Sequence, residues 1–281
     1  AKVRVVKEDA ASGVKLAGAV FGIYSDAGCT QLITKMPATD RQGVSEAEIV
    51  RNQDSVYLKE ITVPAGYRIN TSAYNVKLVS GETQTVNVAN EEQKGKITIR
   101  KTGGVLTGAT GEAGSISFQY SDRAFQNAKY SVYAAEEIRS QDGQTKIYSA
   151  GELAEEMETK ADGSITSGLL PLGTYQVVEQ KAPENLTIGK TEEERIHVVK
   201  LSYAGQTAEI AQSETSYKNE RPQAEVSAVK KSENDGALLQ GAVFGLYAAE
   251  DITGQDGSVL VKEGTLIETA ISDQEGKAAF H

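Results

Sequence analysis

At 281 residues the chain is too long for one small core and suits two or three domains. A net charge of −10, with no basic run longer than two residues, excludes a nucleic-acid binder, because phosphate backbones demand clustered Lys and Arg. A single cysteine, Cys29, excludes an intramolecular disulfide framework, and no apolar run reaches the ~18–20 residues that a membrane span requires.

The predicted elements repeat along the chain. VRVVKED at 3–9 alternates apolar and polar residues, as a half-buried strand does. A turn signal, ASG at 11–13, leads into the apolar strand LAGAVFGIY at 16–24. The turn TDRQG at 39–43 follows, then VYLKEITVPAGY at 56–67 and a closing strand, TVNVANEE at 85–92. A second round begins with KITIRKT at 96–102 and a degenerate apolar copy, FQNAKYSVY at 125–133. The turn at Ala161-Asp162-Gly163, LPLGTYQVVEQKAP at 170–183 and ETSYKNER at 214–221 complete it. A third round opens with EVSAVKKS at 225–232, NDG at 234–236 and LQGAVFGLY at 239–247, and reaches the turn SDQEG at 272–276. YAAEEIRSQDGQ at 133–144 and YAAEDITGQDGS at 247–258 extend the likeness between the second and third copies.

Strands separated by turns every 8–12 residues predict an all-β chain of tandem Ig-like β-sandwich domains. The expected domains are 1–93, 94–221 and 222–281. The third is expected to be incomplete and to continue beyond His281 or be completed by a second chain. Short linkers, EEQKG at 91–95 and ERPQ at 220–223, favour a semi-rigid rod. One short inserted helix is expected in the second domain, at AGELAEEMETK, 150–160, whose Ala, Glu, Leu and Met are strong helix formers.

The order of these motifs is a Lys in the first strand, GAxF, Thr/Ser-Asp-x-x-Gly, LPxGxYxxxExxAP and a last strand ending in Asn-Glu. It resembles the collagen-adhesin B-type, or SpaA-like, repeat domains of Gram-positive surface proteins and pilins, which implies a prealbumin-like sandwich for each unit. The first unit departs from it, since VYLKEITVPAGY lacks the LPxG lead-in, yet it keeps the Glu and the PAGY. The resemblance implies an intramolecular isopeptide bond between a first-strand Lys and a last-strand Asn, assisted by a Glu. Carried onto this chain, it implies Lys7–Asn90 with Glu60, and Lys101–Asn219 with Glu179. In the third unit it implies Lys230 as the donor, since Lys230 lies 11 residues before Gly241 as Lys7 lies 11 before Gly18. It further implies secretion, cell-wall anchoring outside the cell, and association with other pilus or surface subunits.

The chemistry suits such residues. A Lys amine is nucleophilic only when neutral, and burial lowers its pKa; a buried Glu moves the other way and keeps its proton. The acid is expected to hydrogen-bond the Asn carbonyl and to shuttle protons as ammonia leaves. Val56, Leu58 and Glu60 share one face of an alternating strand, as do Tyr175, Val177 and Glu179. The reaction occurs once per unit, so the chain is no turnover enzyme, and no cofactor is expected.

Other residues carry less. His197 and His281 are too few for a metal cluster or triad, and acidic turns such as SQDGQ at 140–144 lack the alternating oxygens of a calcium loop. A competing role is adhesion. Insertions in the second unit, at about 103–124 and 134–160, could form a site for a host matrix protein or a glycan.

Overall fold

A computed structural model describes residues 1–50 and 53–281. The first group of strands is Lys2–Asp9 (β1), Val20–Tyr24 (β2), Leu32–Lys35 (β3), Val44–Glu48 (β4), Ser55–Thr62 (β5), Ala73–Lys77 (β6) and Thr83–Asn90 (β7). They form two sheets, β4-β1-β7 and β3-β2-β5-β6. Strand β1 runs antiparallel to β4 and parallel to β7, so the first and last strands of the unit lie side by side. Alternation turns Val3, Val5, Val56, Leu58 and Val88 inward, and they pack with Phe21 and Ile23 between the sheets.

The second group is Lys94–Thr110 (β8), Ser117–Ala124 (β9), Lys129–Ala134 (β10), Ile138–Arg139 (β11), Lys146–Tyr148 (β12), Leu153–Glu158 (β13), Ser164–Thr166 (β14), Leu170–Pro171 (β15) and Gly173–Lys181 (β16). Glu192–Arg195 (α1), Ile196–Leu201 (β17) and Ile210–Asn219 (β18) complete it. One sheet is built on β8, which pairs antiparallel with β14 and β15 and parallel with β18; the other has the order β13-β10-β16-β17. Strand β8 is 17 residues long, and its second half leaves the sandwich as a hairpin with β9.

The third group is Val226–Val229 (β19), Val243–Tyr247 (β20), Ile252–Thr253 (β21), Val259–Val261 (β22), Leu266–Ile271 (β23) and Lys277–Phe280 (β24). It holds three antiparallel pairs, β19 with β24, β20 with β23 and β21 with β22. The first two repeat the β1–β4 and β2–β3 pairings of the first group, and the third repeats the β11–β12 pairing of the second. Val226, at the position of fully buried Val3, is 46% exposed.

Among the described residues the chain is thus nearly all-β, with prealbumin-like sandwiches and one short helix in the second unit. The helix lies elsewhere than at 150–160. That segment contains β13, whose Met157 pairs with Tyr130 and enters the core. Ladder bonds to β10 and burial of Met157 outweigh the helix propensity of Leu, Ala, Glu and Met. The helix is Glu192–Arg195, started by a capping box in which Thr191 and Glu194 satisfy each other's backbone N–H groups. Among the described residues no helix is long and apolar enough to cross a membrane.

Candidate functional site

Each sandwich carries a polar cluster inside its apolar core. Lys7 continues the inward face of β1 after Val3 and Val5, and Lys101 continues that of β8 after Ile97 and Ile99. Lys7 is in register with Val88, and Lys101 with Tyr217. Asn90 and Asn219 stand two residues beyond those partners, on the same face of the neighbouring strand and diagonal to the lysine. Glu60 and Glu179 come from the opposite sheet, on the interior strands β5 and β16, paired with Phe21 and Tyr130. None of the six charged or amide residues is more than 3% exposed.

The amides are oriented alike. Asn90 Nδ2 donates to Glu60 Oε2 (2.8 Å) and to Arg68 O (2.7 Å); Asn219 Nδ2 donates to Glu179 Oε2 (3.1 Å) and to Thr187 O (2.6 Å). The backbone carbonyl accepts only, so it holds the nitrogen rather than the oxygen of the amide against the carboxyl. This differs from the expectation that the acid meets the Asn carbonyl: it meets the nitrogen that would leave. Both Oδ1 atoms are buried without a hydrogen-bond partner. An unpaired amide oxygen is costly inside a core and leaves the carbonyl carbon flanked by no competing donor.

The lysines are held differently. Lys7 Nζ donates to Glu8 O (3.1 Å) and Val88 O (3.2 Å). Burial lowers its pKa to about 8, against the opposing pull of Glu60, Asp9 and Glu8. Burial raises the Glu60 carboxyl, opposed by the N–H of Asn70, the Asn90 amide and Lys7. Lys101 Nζ lies 2.7 Å from Glu179 Oε1, an ion pair off the hydrogen-bonding axis. Burial lowers Lys101 too, with Glu179 opposing.

The third-unit lysine occupies the same backbone position. Lys7 N donates to Gly43 O, Lys101 N to Gly163 O and Lys230 N to Gly276 O, at 2.7–2.8 Å. Each glycine has a φ of +70° to +73°, and a side-chain carbon there would lie 2.3–2.6 Å from the lysine's own carbonyl oxygen. Only Gly fits that turn. Lys230 itself is exposed.

Several residues at the site were not singled out by the sequence. A hydroxyl from Thr39, Thr159 or Ser272 accepts from the N–H of Ala19, Ala128 or Ala242. The same hydroxyl donates to the carbonyl of Leu16, Phe125 or Leu239, which pins the apolar strand beside the lysine. Its signal was the first residue of the repeated turn string. Tyr130, whose hydroxyl lies 3.5 Å from Glu179 Oε1, aligns with Phe21 and Phe244 in the repeat and could have been read as the polar exception. The Asn70 N–H donates to Glu60 Oε2 at 2.8 Å, a backbone contact with no signature in sequence.

Comparison with known proteins gives a family and a fold. The model of the SpaA prealbumin-like fold domain matches residues 1–92 and 114–215. No curated protein matches the sequence. Among solved structures, the Bacillus anthracis TIE protein is 20% identical with a TM-score of 0.56, over 99% of this chain and 42% of that one. The chain therefore spans less than half the length of that structure. GBS52, the minor pilin of Streptococcus agalactiae, is 14% identical with a TM-score of 0.31, over 79% of this chain and 97% of its own. BcpA, the major pilin subunit of Bacillus cereus, is 14% identical with a TM-score of 0.28, over 79% and 99%.

Proposed function

The chain belongs to the SpaA family of prealbumin-like fold domains, and from that premise we propose that it is a structural part of a Gram-positive surface stalk or pilus. In this reading domains 1–93 and 94–221 are each closed by an isopeptide bond, Lys7–Asn90 and Lys101–Asn219, and 222–281 belongs to a third domain of the same kind with Lys230 as its donor. The protein acts outside the cell, anchored to the wall and joined to other surface subunits. The observation that carries the reading is the recurrence of one buried Lys, Glu and Asn at matching register in two sandwiches.

The reaction balances without a cofactor. Neutral Lys Nζ attacks Asn Cγ, the new C–N bond forms, the Cγ–Nδ2 bond breaks, and ammonia leaves. The Glu carboxyl, hydrogen-bonded to Nδ2, supplies the proton that makes ammonia the leaving group and recovers one from the former amine. Packing holds the groups in place, so the barrier falls through proximity in a dry site.

Intact-mass spectrometry tests this. The chain should weigh two ammonia molecules less than its sequence, and Glu60→Ala and Glu179→Ala should each restore one. Peptide mapping should find Lys7 joined to Asn90 and Lys101 to Asn219. A mass equal to the sequence mass overturns the reading.

One observation favours an adhesive role besides the structural one. A cleft of about 670 Å³ lies between the first two units, with Asp142, Ile147 and Tyr148 of the 134–160 insertion along one wall and Arg68 and Glu91 on the other. Its volume is that of a small-ligand site. Binding to a glycan array or to matrix proteins, lost on Tyr148→Ala, is the expected outcome if it serves adhesion.

A further inference from the structure

Both insertions of the second unit end on a neighbouring unit. The hairpin of β8 and β9 reaches the third group at its tip. Gly114 N donates to Leu266 O and Ile116 N to Ile267 O, each at 2.9 Å, and Ser115 bridges Glu268 in antiparallel fashion. These bonds fall on β23, the strand whose other edge pairs with β20. Nearer the base, Gln255 N donates to Leu106 O at 3.1 Å, and Arg221 of the linker lies over the Tyr120 ring at 5.9 Å. Gly114, at φ +92°, is a position where any side chain would be strained and would press on Leu266.

The β11–β12 hairpin reaches the other way. Gln141 N donates to Glu92 Oε1 and Ser12 Oγ to Asp142 Oδ2, each at 2.6 Å. The Gln141 side chain lies over Gly66, where a side-chain carbon would come within 2.3 Å of its Oε1. Two glutamines complete this joint. Gln93, 1% exposed, donates to Gly205 O and Ala208 O and accepts from Ala204 N. Gln206 donates to Ile61 O and accepts from Val63 N, while Ile69 N donates to its carbonyl.

We propose that the second unit is a splint: its two insertions are docking surfaces whose partner is the adjacent repeat of the same chain, and they fix the angles between successive units. Surface insertions in a β-sandwich normally end in solvent. Here each hairpin turn gives its backbone or side-chain bonds to a neighbour, and one adds to an open sheet edge, the mode by which strands recognise partners. Short linkers alone leave hinges, since few contacts cross them; bonds made tens of residues away in sequence remove that freedom. The inference stands on these contacts and is independent of the isopeptide reading.

Distances between spin labels in the full-length chain test it, measured by double electron–electron resonance. Labels go on cysteines replacing exposed Lys35, Lys160 and Glu250, with Cys29→Ser removing the native thiol. Replacing 106–120 by Asn-Gly should at least double the width of the Lys160–Glu250 distance distribution and leave Lys35–Lys160 unchanged. Replacing 140–145 by Asn-Gly should widen Lys35–Lys160 by less, because Gln93 and Gln206 remain. Unchanged widths in both variants overturn the proposal. Intact mass of the same samples reports separately on the proposed cross-links, and loss of the second unit's unfolding transition in calorimetry marks a misfolded shortened variant. In that case Gly114→Val, which leaves the hairpin length intact, takes its place and must widen the Lys160–Glu250 distribution.

Discussion

The first and second sandwiches place the same three side chains by the same topology, yet they hold the lysine and the carboxyl differently. In the first, Lys7 gives its hydrogen bonds to backbone carbonyls, and the Glu60 carboxyl is held on Oε2 by two N–H donors. In the second, Lys101 faces Glu179 Oε1 directly, and a tyrosine hydroxyl replaces the backbone donor. A backbone N–H is fixed by the fold, whereas a side-chain donor moves with its carboxyl. The contrast is one of partners: Lys7, lowered by burial to about 8, has only backbone carbonyls to bond, whereas Lys101, also lowered by burial, has the Glu179 carboxyl opposing that shift from 2.7 Å.

The largest effect should come from the proposed cross-links. Glu60→Ala and Glu179→Ala should each lower the stability of their own unit by about 4–5 kcal/mol, the loop-closure stabilisation expected for ties spanning on the order of 100 residues. Calorimetry resolving the two unfolding transitions checks this, and a loss that spreads equally to both units would break the comparison.

Next is a difference in pH dependence. Asn90→Ala leaves Lys7 as a free buried amine whose folded pKa, about 8, lies below its ordinary 10.5. Between those values the unfolded chain binds more protons, so stability should rise with pH from about 8 toward 10.5, by up to ~3 kcal/mol. Below pH 8 the amine is charged in both states and adds no slope. Asn219→Ala should show a smaller rise, since Glu179 at 2.7 Å opposes the lowering that burial causes at Lys101. Equal slopes in urea titrations of the two variants would remove the distinction.

The smallest effect tests the tyrosine. Tyr130→Phe should cost the second unit about 1 kcal/mol, the worth of a buried hydrogen bond. Phe21→Tyr in the first unit sets a hydroxyl near Glu60 Oε1, which has no partner, and should be close to neutral. Denaturant midpoints of both variants decide it; no change for Tyr130→Phe means that the hydroxyl is not Glu179's partner.

Much of this was legible in the chain itself, because it is written more than once. Repetition of GAVFG and of the closing Asn set the frame, and alternation put Glu60 and Glu179 on the apolar face of their strands. The 11-residue spacing to Gly241 favoured Lys230 over Lys231 as the candidate donor, and Lys230 makes to its turn glycine, Gly276, the backbone bond that Lys7 and Lys101 make to Gly43 and Gly163. The segment 150–160 misled because composition reports local preference, while pairing with β10 is decided by distant residues. The helix at 192–195 did have a mark, Thr191 followed by Glu194. The amide orientation had none: it depends on carbonyls of Arg68 and Thr187, more than 20 residues away. The hairpin contacts were equally silent, since turn residues name a bend and not what the bend touches.

The parallel placement of β1 beside β7 has a consequence for resistance to cutting if the proposed Lys7–Asn90 bond forms. A pull on the chain then enters at the start of β1, crosses the bond and departs at residue 91. Residues 8–89 form a closed ring hanging off that line. A protease that cuts any loop of the ring opens it without severing the thread, and both fragments stay attached. A chain closed in the way proposed can be nicked within the ring and still carry tension.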